Sequence, residues 1–275
     1  MKSYDIEAQY QISSKGNQIK YKKDGYWYKI NNLGDEAEAE ELTSLVLSCS
    51  DIKIPYVSYE KCIINGHKGC RSKDFLKAEE QTVTFEDVYR NITGRFLPDD
   101  VRLLDNARDR IDFVSDFMWK NLEVDVRPYL SAIIETDYIT KNPDRHYNNL
   151  CLVLESNGIY RPAPIFDNGQ GLGQNHLLTP PNCSLSSFLR IKDAAFGSFE
   201  DALKYVGFTY KVDYEKLEEK LYFKEETDAL RLLKANLNKI KKYVSNGKNT
   251  EAFAEYCEQK GNGSYLDDDC EDYSG

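Results

Sequence analysis

The segment Asn142-Pro143-Asp144-Arg145-His146-Tyr147-Asn148-Asn149, answered by Phe166-Asp167-Asn168-Gly169, constrains this chain more than any other feature of it. Proline disfavours the helical region for the residue before it, so the apolar run over 126–139 has to end by Asn142 and pass into a loop. Asp144 is therefore expected on a loop behind a buried helix. An Asn follows it five residues later, and a second Asp eighteen residues beyond that. A hard cation such as Mg2+ prefers carboxylate, amide and phosphate oxygens and usually has few protein ligands, which suits Asn149 and Asp167. The remaining carboxylate, Asp144, is then free to meet a hydroxyl group. For the three to meet, the chain between them must double back. Strands over 149–154 and 159–165, turned at Ser156-Asn157-Gly158, are predicted to do that.

This is the layout of a phosphoryl-transfer site, where the protein's task is positioning and charge neutralisation rather than covalent chemistry. The two motifs resemble those of the HipA-like serine/threonine kinases; phosphoinositide lipid kinases use a similar Asp-Arg-His-x-x-Asn loop. Gly16-Asn17-Gln18-Ile19-Lys20 favours the first group. It is similar to the Gly-x-Gln-Pro-Lys segment that stands in for a glycine-rich loop in HipA-like proteins, with Ile19 in place of the proline. The resemblance implies an α+β, bilobal protein-kinase-like fold. A small β-rich N-lobe would cover 1–80, a larger helical C-lobe 81–260, and an acidic tail 261–275. It also implies ATP and Mg2+ as cofactors, a Ser or Thr hydroxyl of a protein as acceptor, autophosphorylation, and a bacterial or phage source.

Residue by residue, the resemblance implies Asp144 as the catalytic Asp and Asn149 and Asp167 as metal ligands. Lys29 would be the strand lysine on the ATP phosphates, and Gly16, Gln18, Lys20 and His146 would be nucleotide contacts. An acidic residue on the following helix is expected to hold Lys29; Glu36, Glu40 and Glu41 all qualify, and Glu40 is the choice. Asn168 stands where the Asp-Phe-Gly motif of kinases has its aromatic residue. Arg145 is read as the partner of a carboxylate. HipA-like toxins carry a further N-terminal module, whereas here about fifteen residues precede Gly16. The chain thus reads as a compact kinase core, and an antitoxin-type partner has no support in the sequence.

Upstream, residues 19–23 and 26–30 flank Asp24-Gly25, a pair suited to a tight primed turn, which puts Lys29 on the returning strand. A helix follows over about 35–50, with Leu42, Leu45, Val46 and Cys49 on one face. Residues 52–64 read as one or two strands, with Pro55 limiting the ladder, and 65–83 as the crossing between lobes. From residue 84 the chain turns helical, over 99–122, 126–139 and 198–206, and again along Leu230, Leu233, Leu237, Ile240 and Val244. The Gly-, Asn-, Pro- and Ser-rich stretch 168–197 takes the position of an activation segment.

Composition narrows the alternatives. A formal net charge of −10 argues against a nucleic-acid surface, which would need a Lys/Arg excess. No stretch approaches the ~18 apolar residues of a membrane span. The N-terminus lacks an apolar signal core, so the expected location is the cytoplasm. The seven cysteines are odd in number and form no Cys-x-x-Cys pair, so reduced thiols are expected. Two other readings compete: a lipid or small-molecule kinase, and a nucleotide-binding interaction protein with little turnover. The acidic end, with Asp267, Asp268, Asp269, Glu271 and Asp272, reads as a disordered tail.

Overall fold

The computed structural model describes residues 1–12, 18–192 and 195–245. Its N-terminal part is a sheet of β1 (Lys2–Tyr4), β2 (Gln11–Ile12), β3 (Lys20–Lys23), β4 (Tyr26–Ile30), β5 (Tyr59–Ile64) and β6 (His67–Lys73). The six strands lie in the order β1-β5-β6-β4-β3-β2. Asp24-Gly25 turns β3 into β4, and Asn65-Gly66 turns β5 into β6. All four residues have positive φ (51°, 75°, 50° and 79°), as a primed two-residue turn requires. One helix, α1 (Glu36–Ser48), follows β4 and packs on β5 and β6.

Beyond the crossing come β7 (Gln81–Thr84), α2 (Phe85–Thr93), α3 (Leu97–Val101), α4 (Ala107–Leu122) and α5 (Arg127–Thr140). A second small sheet of β7, β8 (Cys151–Leu154) and β9 (Tyr160–Pro162) follows, all neighbours antiparallel. The described residues end in α6 (Leu185–Leu189), α7 (Phe199–Val206), α8 (Tyr214–Tyr222) and α9 (Asp228–Ser245). The expected α+β, two-lobed fold is present. The main core joins α4, α5, α7 and α9 with Ala39, Leu42, Val46 and Leu47 of α1, so α1 is buried against the helical lobe. A smaller cluster of Ile6, Tyr21, Tyr28, Ile30, Cys62 and Ile64 lies on the sheet.

Several elements differ from expectation. The crossing predicted over 65–83 is largely strand, because β6 occupies the sheet centre between β4 and β5. Its residues, HKGCRSK, show no apolar alternation; pairing on both sides holds them there. The helix predicted over 99–122 is broken between α3 and α4, where the Asn106 side chain accepts the Asp109 N–H and starts a new helix. Of 52–64, β5 alone is a strand, but Val57 N–H donates to the Ile165 carbonyl and Ile165 N–H to that of Pro55, each at 2.8 Å. The hairpin predicted over 149–165 has shorter strands and gains β7 as a third. Gly16 and the acidic tail lie outside the described residues. No described helix is long and apolar enough to cross a membrane. Cys49, Cys62, Cys70, Cys151 and Cys183 are free thiols.

Candidate active site

The α5 helix ends at Thr140, and Lys141 turns the chain with φ 48°. The loop behind it is built by its own side chains. Asn142 Oδ1 accepts the Asp144 N–H at 3.2 Å, and Asn149 Nδ2 donates to the Asp144 carbonyl at 2.8 Å. The Asn149 N–H donates to the His146 carbonyl at 2.8 Å. Arg145, wholly buried, donates to Asp137 on α5 at 2.8 and 3.0 Å, to the Phe166 carbonyl at 2.8 Å and to Asn168 Oδ1 at 2.6 Å. The sequence reading of Arg145 as a carboxylate's partner thus describes one part of a larger network.

From the opposite wall, β4 brings Lys29. Its Nζ lies 2.8 Å from Glu40 Oε1 and 2.7 Å from Asp167 Oδ1, and donates to the Tyr59 hydroxyl at 3.2 Å. Among the three candidate acids, Glu40 is the one that meets Lys29. Glu36 instead accepts the N–H groups of Asn32 and Leu33 at 3.0 and 2.5 Å, while Glu41 pairs with Lys224, just after α8. Glu40's other oxygen accepts the Asn168 N–H at 3.0 Å. Asp167 has φ 60°, a left-handed conformation that costs a non-glycine residue about 1–2 kcal/mol. Its two neighbours are both pinned, by Arg145 and by Glu40.

Gln18, Lys20, Lys29, Glu40, Asp144, His146, Asn149 and Asp167 all line one cleft of about 640 Å³. The register of β4 orders that cleft. Tyr26 lies beside Lys73 at the crossing, and Ile30 lies beside Gly69 at the other end. Trp27, Asp74 and Leu76 therefore line the crossing end, Lys29 the middle, and Asn32, Leu33, Gln170 and Leu177 the far end. Sequence reasoning missed Tyr59, Phe75 and Trp27. Phe75 packs its ring on Phe166 at 5.8 Å, and the Trp27 indole N–H donates to Asp74 at 3.2 Å. Trp27 and Tyr59 owe their place to strand pairing, and Phe75 to the crossing that follows β6, none of which a local pattern encodes.

Electrostatics separates the carboxylates. Burial pushes the Asp144 carboxyl up; His146 opposes this and Asp167 reinforces it. Burial acts on Asp167 too, but Lys29 and Lys20 reverse it and hold that carboxyl below the usual range. Burial would lower the Lys29 ammonium, yet Asp167 and Glu40 outweigh it and keep the group charged. One carboxylate is thus firmly ionised beside cations, and another is tuned toward accepting a proton.

The donors fit Mg2+. Asn149 spends its amide N–H on Asp144, leaving its carbonyl oxygen to pair with the carboxylate of Asp167 as a ligand set. Among the described residues no group of three His, Cys, Asp or Glu side chains is placed to hold a metal unaided.

No protein-family model matches the sequence, and no curated protein does. Solved structures do. The Helicobacter pylori proinflammatory kinase CtkA superposes with a TM-score of 0.55 at 14% identity, over 90% of this chain and 93% of that one. HipA of Shewanella oneidensis MR-1, in complex with HipB and operator DNA, gives a TM-score of 0.44 at 13% identity, over 93% of this chain and 64% of its own. The α+β, two-lobed kinase-like fold expected from the motifs is the one this chain has, shared with the H. pylori kinase.

Proposed function

We propose that the chain is an ATP- and Mg2+-dependent kinase that moves the γ-phosphoryl group of ATP onto a Ser or Thr hydroxyl of a protein. The observation that carries this reading is the meeting of Lys29, Glu40 and Asp167 in the same cleft as Asp144 and Asn149. The nucleotide lies along β4, its base toward Trp27 and Leu76 and its phosphates at Lys20 and Lys29. Glu40 keeps Lys29 aimed at the α- and β-phosphates. Asn149 and Asp167 hold Mg2+, which when bound neutralises charge on the phosphates and the departing ADP. Asp144 accepts a hydrogen bond from the acceptor hydroxyl. As the hydroxyl oxygen bonds to the γ-phosphorus, the bond to the ADP oxygen breaks and the proton passes to Asp144. His146, 3.8 Å from Asp144 and lining the same cleft, contacts the nucleotide. The net charge of −10 weighs against an anionic lipid as acceptor.

The test is incubation with γ-labelled ATP and Mg2+, alone, with generic protein acceptors and with phosphoinositide. Label on protein is expected for the wild type. Asp144→Asn and Asp167→Asn are each expected to lower it at least about a hundredfold. Equal labelling by wild type and both variants would remove the assignment, and label on lipid alone would change the acceptor.

A further inference from the structure

Asn168 occupies the place where kinases of known motif carry an aromatic, and its surroundings give that departure a use. The residue is 2% exposed. Its backbone N–H donates to Glu40 Oε2 at 3.0 Å, and its side-chain oxygen accepts from Arg145 at 2.6 Å. Arg145 in turn is fork-bonded to Asp137, itself wholly buried on α5, and also donates to the carbonyl of Phe166 at 2.8 Å. Residues 166 and 168 are thus fastened to one guanidinium, and residue 168 also to α1. Between them lies Asp167, with its backbone held at φ 60°. Phe166 packs its ring on Phe75, whereas residue 168 is held by hydrogen bonds. A planar guanidinium with several fixed donors suits the job because it meets a carboxylate, a carbonyl and an amide oxygen at once.

We propose that Asn168 and Arg145 are positioning residues that clamp the Asp167 carboxylate toward the metal-binding side of the cleft, doing by hydrogen bonds what the motif's aromatic does by packing. The clamp rests on the kinase reading for its purpose, but not for its existence. It joins three parts that must agree for phosphoryl transfer: the Lys29–Glu40 pair, the Asp144 loop and Asp167. Asn168 links the first to the third through its backbone. Arg145 links the second to the third through Asn168 and Phe166. Loss of the Asn168 side-chain oxygen frees one side of Asp167 while leaving every group that would touch nucleotide in place.

The experiment compares wild type, Asn168→Leu and Asn168→Asp. Leu has nearly the same size and no acceptor for Arg145; Asp retains one. Affinity for a non-hydrolysable ATP analogue is measured by calorimetry with Mg2+ and with EDTA, alongside label transfer and thermal melting. Asn168→Leu is expected to weaken binding in Mg2+ about tenfold and to lower transfer by about ten- to a hundredfold, with binding in EDTA unchanged. Asn168→Asp is expected to stay near wild type in both. An Asn168→Leu protein that binds the Mg2+ form like wild type overturns the clamp, even if it melts earlier, since the oxygen then serves stability alone. Wild type that binds the Mg2+ form but transfers no label would end the kinase reading, and the clamp would still be decided by the binding data. Wild type that binds no nucleotide in either condition would overturn both.

Discussion

Lys29 is 7% exposed and divides one ammonium between two carboxylates. Removing one member of a buried ion pair leaves the other charge desolvated, typically at about 3–5 kcal/mol. Lys29→Met is therefore expected to lower unfolding free energy by about 3–5 kcal/mol in denaturant melts and to abolish nucleotide binding. Adding Glu40→Leu removes one stranded carboxylate, so the double variant should be more stable than Lys29→Met while still binding no nucleotide. A double variant no more stable than the single would show that the stranded charge is not the cause. Which glutamate serves Lys29 was open in the sequence, for a geometric reason. Glu36 and Glu40 share a helix face and Glu41 lies about 100° around from Glu40. The choice between the first two depends on where β4 approaches α1, which no local pattern encodes. Asp144, Asn149 and Asp167, by contrast, stand in short motifs whose spacing is itself the signal.

At the scale of elements, α5 carries a second buried acid, Glu135. One of its oxygens accepts the N–H groups of Thr209 and Tyr210 at 2.5 and 3.3 Å and the Thr209 hydroxyl at 2.8 Å. Burial still pushes its carboxyl up to about 7 from an ordinary 4.5, despite those donors. The folded protein therefore holds a proton there that the unfolded chain gives up, so stability falls as pH rises from about 4.5 to 7. Glu135→Gln keeps an oxygen for all three donors and removes the charge. It is expected to match wild type near pH 4 and to exceed it at pH 8 by on the order of 1–3 kcal/mol, read from urea melts at both pH values. A constant difference across pH would sink the idea. The β3–β4 hairpin and α5 were legible because turn residues and apolar period agreed locally. The β6 strand was not, since HKGCRSK owes its place to two neighbouring strands; its Asn65-Gly66 turn was the unread clue.

Across the whole molecule, α1 belongs to both lobes. Its apolar face sits in the helical core, and the chain after it is tied to the segment before α8. Asp213 N–H donates to the Cys49 carbonyl at 2.7 Å, and Lys211 N–H to Asp51 at 2.7 Å. Thr227 reaches Glu38 at 3.1 Å. With α1 held this way, Glu40 meets Lys29 at 2.8 Å. Mg2+ with an ATP analogue at a hundredfold excess over Kd is expected to stabilise the fold by about 2.7 kcal/mol, with amide exchange in α1 slowing no more than in α5, on which it packs. Slowing in α1 well beyond that in α5 would show instead that the helix is ordered by the nucleotide. The sequence by itself determined the chemistry available: two short motifs, a hairpin lysine and a proline-bounded loop, all local relations within a few bonds. The tertiary structure decided which glutamate serves that lysine, that Asn168 joins α1 to the Asp144 loop, and that α1 is fixed to the helical lobe. Each of those is a contact between segments far apart in the chain, set by how whole faces pack, and no local spacing carries that information.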